Sequence, residues 1–159
     1  MHANEALLHR FYEAFAKRDH ATMAEAYAPE ETFSDPVFTD LKGPEVAGMW
    51  RMLCVRGTDL ELSHSDVRAD DASGEASWIA RYTFSATGRH VTNHVQSRFT
   101  FRDGLVVAQQ DTFDFWGWTR QALGPMGLFL GWTPLVRNKV RSHAGTGLER
   151  FLAKEQAGG

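Results

Sequence analysis

Asp111 is the residue of this sequence best placed to move a proton. Within residues 105–115, alternate side chains (Leu105, Val107, Gln109, Asp111, Phe113 and Phe115) share one face of a predicted strand. That face is mostly apolar and should point inward. A carboxyl group among apolar side chains loses hydration, which disfavours its charged form and raises its pKa. Such a group exchanges protons near neutral pH. A bulge turning Asp111 outward, or a structural pairing with Arg or His, would leave it no such role. Asp35 is the second candidate, at the end of a short strand in Phe33-Ser34-Asp35-Pro36-Val37. An aspartate before proline also commonly begins a turn.

Other reactive residue types point elsewhere. His64 shares a face with Leu60 and Leu62 and reads first as a hydrogen-bonded core residue. His90 and His94 are four residues apart, about 13 Å on a strand, too far to hold one metal ion. No other spacing of His, Cys or carboxylates suggests a metal. A glycine-rich phosphate loop and a Gly-x-Ser-x-Gly nucleophile motif are both missing from the sequence. Cys54, the lone cysteine, reads as a small buried hydrophobe, and a chain with one cysteine suits the reducing cytoplasm.

The elements that must position the two aspartates are legible from periodicity. Residues 5–18 read as an amphipathic helix through Leu8, Phe11 and Phe15, with Asn4 as its cap. Asp19 can cap a second short helix carrying Met23 and Tyr27. A short strand covers 31–36. Gly43-Pro44 opens a third helix, with Val46, Met49, Trp50 and Leu53 on one face, ending near Gly57. Strand patterns follow at 59–68, 75–85, 91–102 and 105–115. Trp78, Ala80, Tyr82 and Phe84 share one face of the second, and Val95, Ser97, Phe99 and Phe101 one face of the third. Thr87-Gly88-Arg89 and Asp103-Gly104 are hairpin turns. The apolar face of this meander needs a cover, and the N-terminal helices are the large apolar elements that precede it.

Beyond 115 the pattern changes. Residues 116–132 are rich in glycine and large apolar side chains, suited to core, to a dimer interface or to a lid over a pocket; interface or lid is favoured over membrane insertion, and no membrane partner is expected. Thr133-Pro134 starts a last helix, weakened at Gly145 and Gly147. Arg137, Lys139 and Arg141 read as its solvated face. The chain of 159 residues fits one domain, 1–159, with a core at about 5–115 and a helical extension at about 116–156. A net charge of −3 without a basic run argues against nucleic acid. No segment is long and apolar enough to span a bilayer, and the start has no signal-peptide pattern.

The order of these elements resembles the ketosteroid isomerase-like members of the nuclear transport factor 2 (NTF2-like) superfamily. The resemblance rests on Leu7 through Asp19 to Asp35-Pro36-Val37, and on the hairpin from Glu75 through Gly88-Arg89 to Phe99 and Phe101. It implies an α+β fold: a cone-shaped, curved antiparallel sheet with the N-terminal helices on its concave face. It sets Asp35 at the family's general base. The oxyanion-hole tyrosine falls on Phe11, with Tyr12 adjacent but about 100° round the helix. The partner aspartic acid falls on Ser97. Two changed positions out of three argue against steroid isomerisation by that mechanism. Trp78, Ala80, Tyr82 and Phe84 fall on the steroid-cavity wall. Asp111 falls on the strand where SnoaL-like polyketide cyclases carry an acid–base aspartate.

Together these readings lead to two expectations. The first is a cofactor-free, metal-free acid–base enzyme of isomerase, dehydratase or cyclase type, acting on a small hydrophobic carbonyl compound in a central pocket. Asp111 and Asp35 would carry protons. Tyr82, Asn93, Ser97 and Gln109 would orient substrate, with Trp50, Trp78, Phe84 and Phe113 also lining the site. The second is a non-catalytic ligand-binding or protein-interaction module. A homodimer is expected from the resemblance and from the apolar tail.

Overall fold

A computed structural model describes residues 1–158. Helix α1 (Ala3–Ala16) buries Leu7, Leu8, Phe11, Tyr12 and Phe15, whose helical spacing makes one apolar stripe. Its cap is His2 rather than Asn4: the His2 ring accepts from the Asn4 N–H, while the Asn4 amide donates to the Asp70 carbonyl. Asp19 caps α2 (His20–Ala24) as expected, through the Thr22 N–H. Strand β1 (Tyr27–Ser34) begins four residues earlier than the pattern predicted, so Tyr27 is a strand residue and not a helical one. Pro29 hides this start, because a proline cannot supply a ladder donor and reads as a breaker.

A two-residue strand, β2 (Leu41–Lys42), precedes α3 (Pro44–Arg56), which starts on Gly43 and ends on Gly57 as expected. Strands β3 (Glu61–Ala69), β4 (Ser73–Phe84), β5 (Arg89–Arg102) and β6 (Leu105–Thr112) form the meander. The curved, unclosed sheet has the order β2-β1-β6-β5-β4-β3. It is not wholly antiparallel, because β1 runs parallel to β6. Thr32, Phe33 and Ser34 thereby lie beside Ala108, Gln109 and Gln110.

The parity of β6 needs correction. A bulge falls at Val107: Phe101 faces Val106, and the next pair is Thr100 with Ala108. Val106 is therefore buried, and the inward row continues with Gln109 and Asp111. Phe113 and Phe115 lie beyond the strand, Phe115 opening α4 (Phe115–Leu123).

The core lies between the inward row of the sheet and helices α1 and α3. Trp50 meets Phe11, Phe15 and Phe33 edge-on, with ring centroids 5.1–5.8 Å apart. A second cluster of Val91, Phe115, Trp118 and Ala122 joins Tyr82, Phe84 and Phe113 to the extension. There α4 is followed by α5 (Pro125–Leu130) and α6 (Pro134–Gly158). Gly145 and Gly147 do not break α6. Contacts with α3 outweigh their propensity penalty of about 1 kcal/mol each: Leu148 is buried, Leu152 meets Gly48, and Arg51 pairs with Glu155 at 2.6 Å.

Candidate functional site

Asp111 sits opposite Ser97 in the β5–β6 ladder and is 1% exposed. Two chains of hydrogen bonds end on it, and each is directed by a group that can only donate. In the first, the Trp50 indole N–H donates to the Tyr27 hydroxyl at 2.9 Å, and Tyr27 donates to Gln109 Oε1. The Gln109 amide then donates to Asp111 Oδ1 at 2.9 Å. In the second, the Trp78 indole N–H donates to Ser97 Oγ at 2.8 Å and the Tyr12 hydroxyl donates to the same oxygen at 2.9 Å. With both lone pairs of Ser97 taken, its own proton goes to Asp111. Everything that bonds Asp111 is a donor, so a proton on Asp111 meets no acceptor among these partners.

Burial pushes the Asp111 carboxyl up to about 7; the Ser97 and Gln109 donors hold it down, and the nearby Asp35 charge adds to the rise. Asp35 lies where β1 gives way to a tight turn. Its Oδ1 accepts from the Val37 and Phe38 N–H groups at 2.7 and 2.6 Å, while its own N–H bonds the Phe38 carbonyl. Burial raises Asp35 to about 6, against those two amides and the Arg141 charge. The turn reading and the proton-carrier reading of Asp35 are thus compatible: Oδ1 holds the turn, and Oδ2 has no donor among the described residues.

Tyr82 completes the group. Its hydroxyl accepts from the Trp118 indole at 2.7 Å, and its own proton has no acceptor among the described residues. Burial raises its pKa, with the nearby Asp35 charge adding to the rise. The Asp35 charge thus reaches both Tyr82 and Asp111, and Tyr82 packs against both apolar clusters.

The remaining predicted residues are placed less uniformly. Trp50 and Trp78 are buried in the core and start the two donor chains, rather than standing as open walls. Ser97 and Gln109 are buried links of those chains. Asn93 is half-buried on the inward row of β5. Phe84 packs edge-on to Trp118 in the outer cluster at 5.3 Å, and half-buried Phe113 touches both clusters.

Among the described residues, the expected central pocket is not one of the concavities that stand out. These lie elsewhere: one between the β4–β5 hairpin and α4, lined by Arg89, His90, Arg120 and Gln121, and one over the outward residues Thr32, Arg98, Thr100 and Gln110. The extension covers the site. Trp118 of α4 bonds Tyr82, and Arg141 of α6 donates to the Pro36 carbonyl at 2.9 Å. Arg141 is thus half-buried beside Asp35 and not part of a solvated face, because the turn at 35–38 offers it a free carbonyl.

Tyr12, Tyr27 and Arg141 were missed as site residues. Tyr12 had a signal, since it is adjacent to Phe11 and the helix stripe is wide enough to bury both. His64 is a hydrogen-bonded residue as expected, 3.0 Å from the His9 ring and stacked on Tyr12. Burial pushes the Cys54 thiol up to about 11, which leaves it unreactive. His90 and His94 are both exposed, and no three potential ligands gather as a metal site among the described residues.

An interior with two raised carboxyls and a free phenol proton is equipped for proton transfer. Solved structures share its frame. An NTF2-like protein of unknown function from Burkholderia pseudomallei is 22% identical, covers 76% of this chain and 98% of its own, and superposes with a TM-score of 0.67. An LEH-like epoxide hydrolase from Mycobacterium tuberculosis is 19% identical, with coverage of 79% and 92% and a TM-score of 0.63. A proposed polyketide cyclase from Streptomyces antibioticus is 21% identical, with coverage of 76% and 98% and a TM-score of 0.63. These superpositions, at identities too low to carry more, show a common NTF2-like fold. No curated protein matches the chain. Residues 8–109, well over half of the chain and including most of α1, Asp35 and the meander up to Gln109, match the SnoaL-like domain, and the protein belongs to that family.

Proposed function

We propose that the protein is a cytoplasmic, cofactor-free acid–base enzyme of isomerase, dehydratase or cyclase type, whose 159 residues act as one domain on a small hydrophobic carbonyl compound. The observation that carries this reading is Asp111, buried where two donor chains end and close enough to Asp35 for their charges to interact. At neutral pH Asp35, raised only to about 6, is the more ionised and serves as base, accepting a proton from carbon on Oδ2. Asp111, raised to about 7, keeps more of its proton and serves as acid. The Tyr82 hydroxyl donates to the substrate oxygen on which charge gathers. After release, solvent takes the proton from Asp35 and returns one to Asp111. The cover of α4 and α6 opens to admit substrate and then excludes water. The epoxide hydrolase and the proposed cyclase of the same fold support chemistry on small organic molecules.

The test is a panel of small hydrophobic carbonyl compounds assayed against pH. The expected kcat/KM profile is a bell, with limbs near the pair's apparent values of about 6 and 7. Asp35→Asn should lower turnover by about 10²–10⁴-fold and remove the acidic limb. A flat profile, or an acidic limb that survives this change, would count against Asp35 as the base.

The aromatic filling of the interior favours a second reading, a ligand-binding or protein-interaction module. Ligand binding without turnover, unaffected by Asp35→Asn, would support it. We also propose a homodimer, on the strength of the family resemblance. Sedimentation showing only monomer at high concentration would reject it.

A further inference from the structure

Helix α5 is built inside out. Its glycine faces the protein: a Cβ at Gly127 would lie 2.0 Å from the Thr119 carbonyl oxygen, and one at Gly131, just past the helix, 2.0 Å from Thr119 Oγ1. The backbone of α5 therefore abuts α4, and its large side chains point to solvent. Phe129 is 70% exposed, Trp132 67% and Leu135 77%, with Met126, Leu128 and Leu130 also exposed. A helix lying in water would bury these side chains and expose its glycines. The indole N–H groups of Trp116 and Trp132 are bonded to the Leu128 and Phe129 carbonyls, so the two exposed indoles already have their polar atoms satisfied.

Within the segment that bears this patch the charge is of one sign, the acidic Asp114 lying just before it as the cap of α4. From Phe115 to Leu148 the chain carries Arg120, Arg137, Lys139 and Arg141 and no Asp or Glu, although the whole chain is at −3. Arg120, Arg137 and Lys139 are exposed, and Arg120 stacks over Trp116 at 4.2 Å. A second copy of the chain meeting this patch about a two-fold axis would set cation against cation, with no acid in the segment to pair them. An anionic lipid surface meets both halves of the patch. Apolar and indole side chains settle at headgroup depth, and basic side chains meet acidic headgroups. No described helix is long and apolar enough to cross a membrane, and attachment at the surface requires none.

We propose that α5, flanked by Trp116 and Trp132, docks this protein on the surface of an anionic bilayer. The inference is independent of the reaction catalysed. It is tested by flotation of the full chain with vesicles of phosphatidylcholine, alone or containing roughly one-quarter phosphatidylserine. The chain should float with the mixed vesicles and much less with the neutral ones, and salt should weaken the binding. Phe129→Asp, and separately Arg120→Glu with Lys139→Glu, should each lower partitioning roughly tenfold or more, with circular dichroism and the urea midpoint showing that the fold persists. Three results would overturn the proposal. The first is a folded wild type that fails to float with the mixed vesicles. The second is binding indifferent to phosphatidylserine, salt and charge reversal. The third is a dimer that Phe129→Asp converts to monomer without any vesicle binding, which would assign the patch to a second copy.

Discussion

Replacing Asp111 with Asn is expected to lower turnover by about 10²–10⁴-fold while the fold survives, because the amide is nearly isosteric but cannot exchange a proton at neutral pH. The same change should alter how stability follows pH. In the wild type the folded-state pKa, about 7, lies above the ordinary value of 3.8. Between those values the unfolded chain has released the proton and the folded chain still holds it. Raising the pH through this window therefore weakens the folded state, by up to on the order of 4 kcal/mol, with no further change above about 7. Asp35 contributes a decline of the same sign that ends near pH 6. In Asp111→Asn the decline attributable to these two groups should stop near pH 6. Urea unfolding of both proteins from pH 5 to 8 checks this. Parallel curves would mean that Asp111 ionises in the folded protein as it does in water, and full activity in the variant would remove Asp111 from the chemistry.

Trp50→Ala is expected to be the most damaging single change to the fold, at about 3–5 kcal/mol. The indole is almost fully buried against three phenylalanine rings, and its N–H opens the donor chain that reaches Asp111 through Tyr27 and Gln109. A typical domain has about 5–15 kcal/mol in total, so the variant should unfold at much lower urea. Trp50→Phe keeps most of the ring contact and removes the N–H. It should cost about 1–2 kcal/mol and shift the limb of the pH–rate profile that belongs to Asp111. A midpoint for Trp50→Ala close to wild type would show that the aromatic cluster contributes little.

How much of this was legible in the residues depends on how local each signal is. Helix α3 could be read because Gly43, Pro44 and Gly57 mark both ends, and the β4–β5 hairpin because its alternation is long and its turn contains glycine. The inward placement of Asp111 was read correctly but from a flawed row. The bulge at Val107 exchanges the faces of the residues before it, and one extra residue leaves no trace in composition. Tyr27 was assigned to a helix because its partner strand lies far along the chain. The way the extension reaches back over Tyr82 and the turn at 35–38 could not be read at all. It depends on Arg141 reaching the Pro36 carbonyl and Trp118 reaching Tyr82, contacts between segments that share no local pattern.

The parallel pairing of β1 with β6 also sets the order in which the molecule can be completed. Tyr27 and Gln109 are 82 positions apart, and β1 has no long partner other than β6. During synthesis, at about 5–20 residues per second, α1 and β1 leave the ribosome seconds before the strand that receives them. The β3–β4–β5 meander can form in the interval from contacts between neighbours, whereas docking β1 requires closing a large loop. Asp35 and Asp111 then meet only at that final closure, so a nascent chain halted before β6 holds the meander but no site.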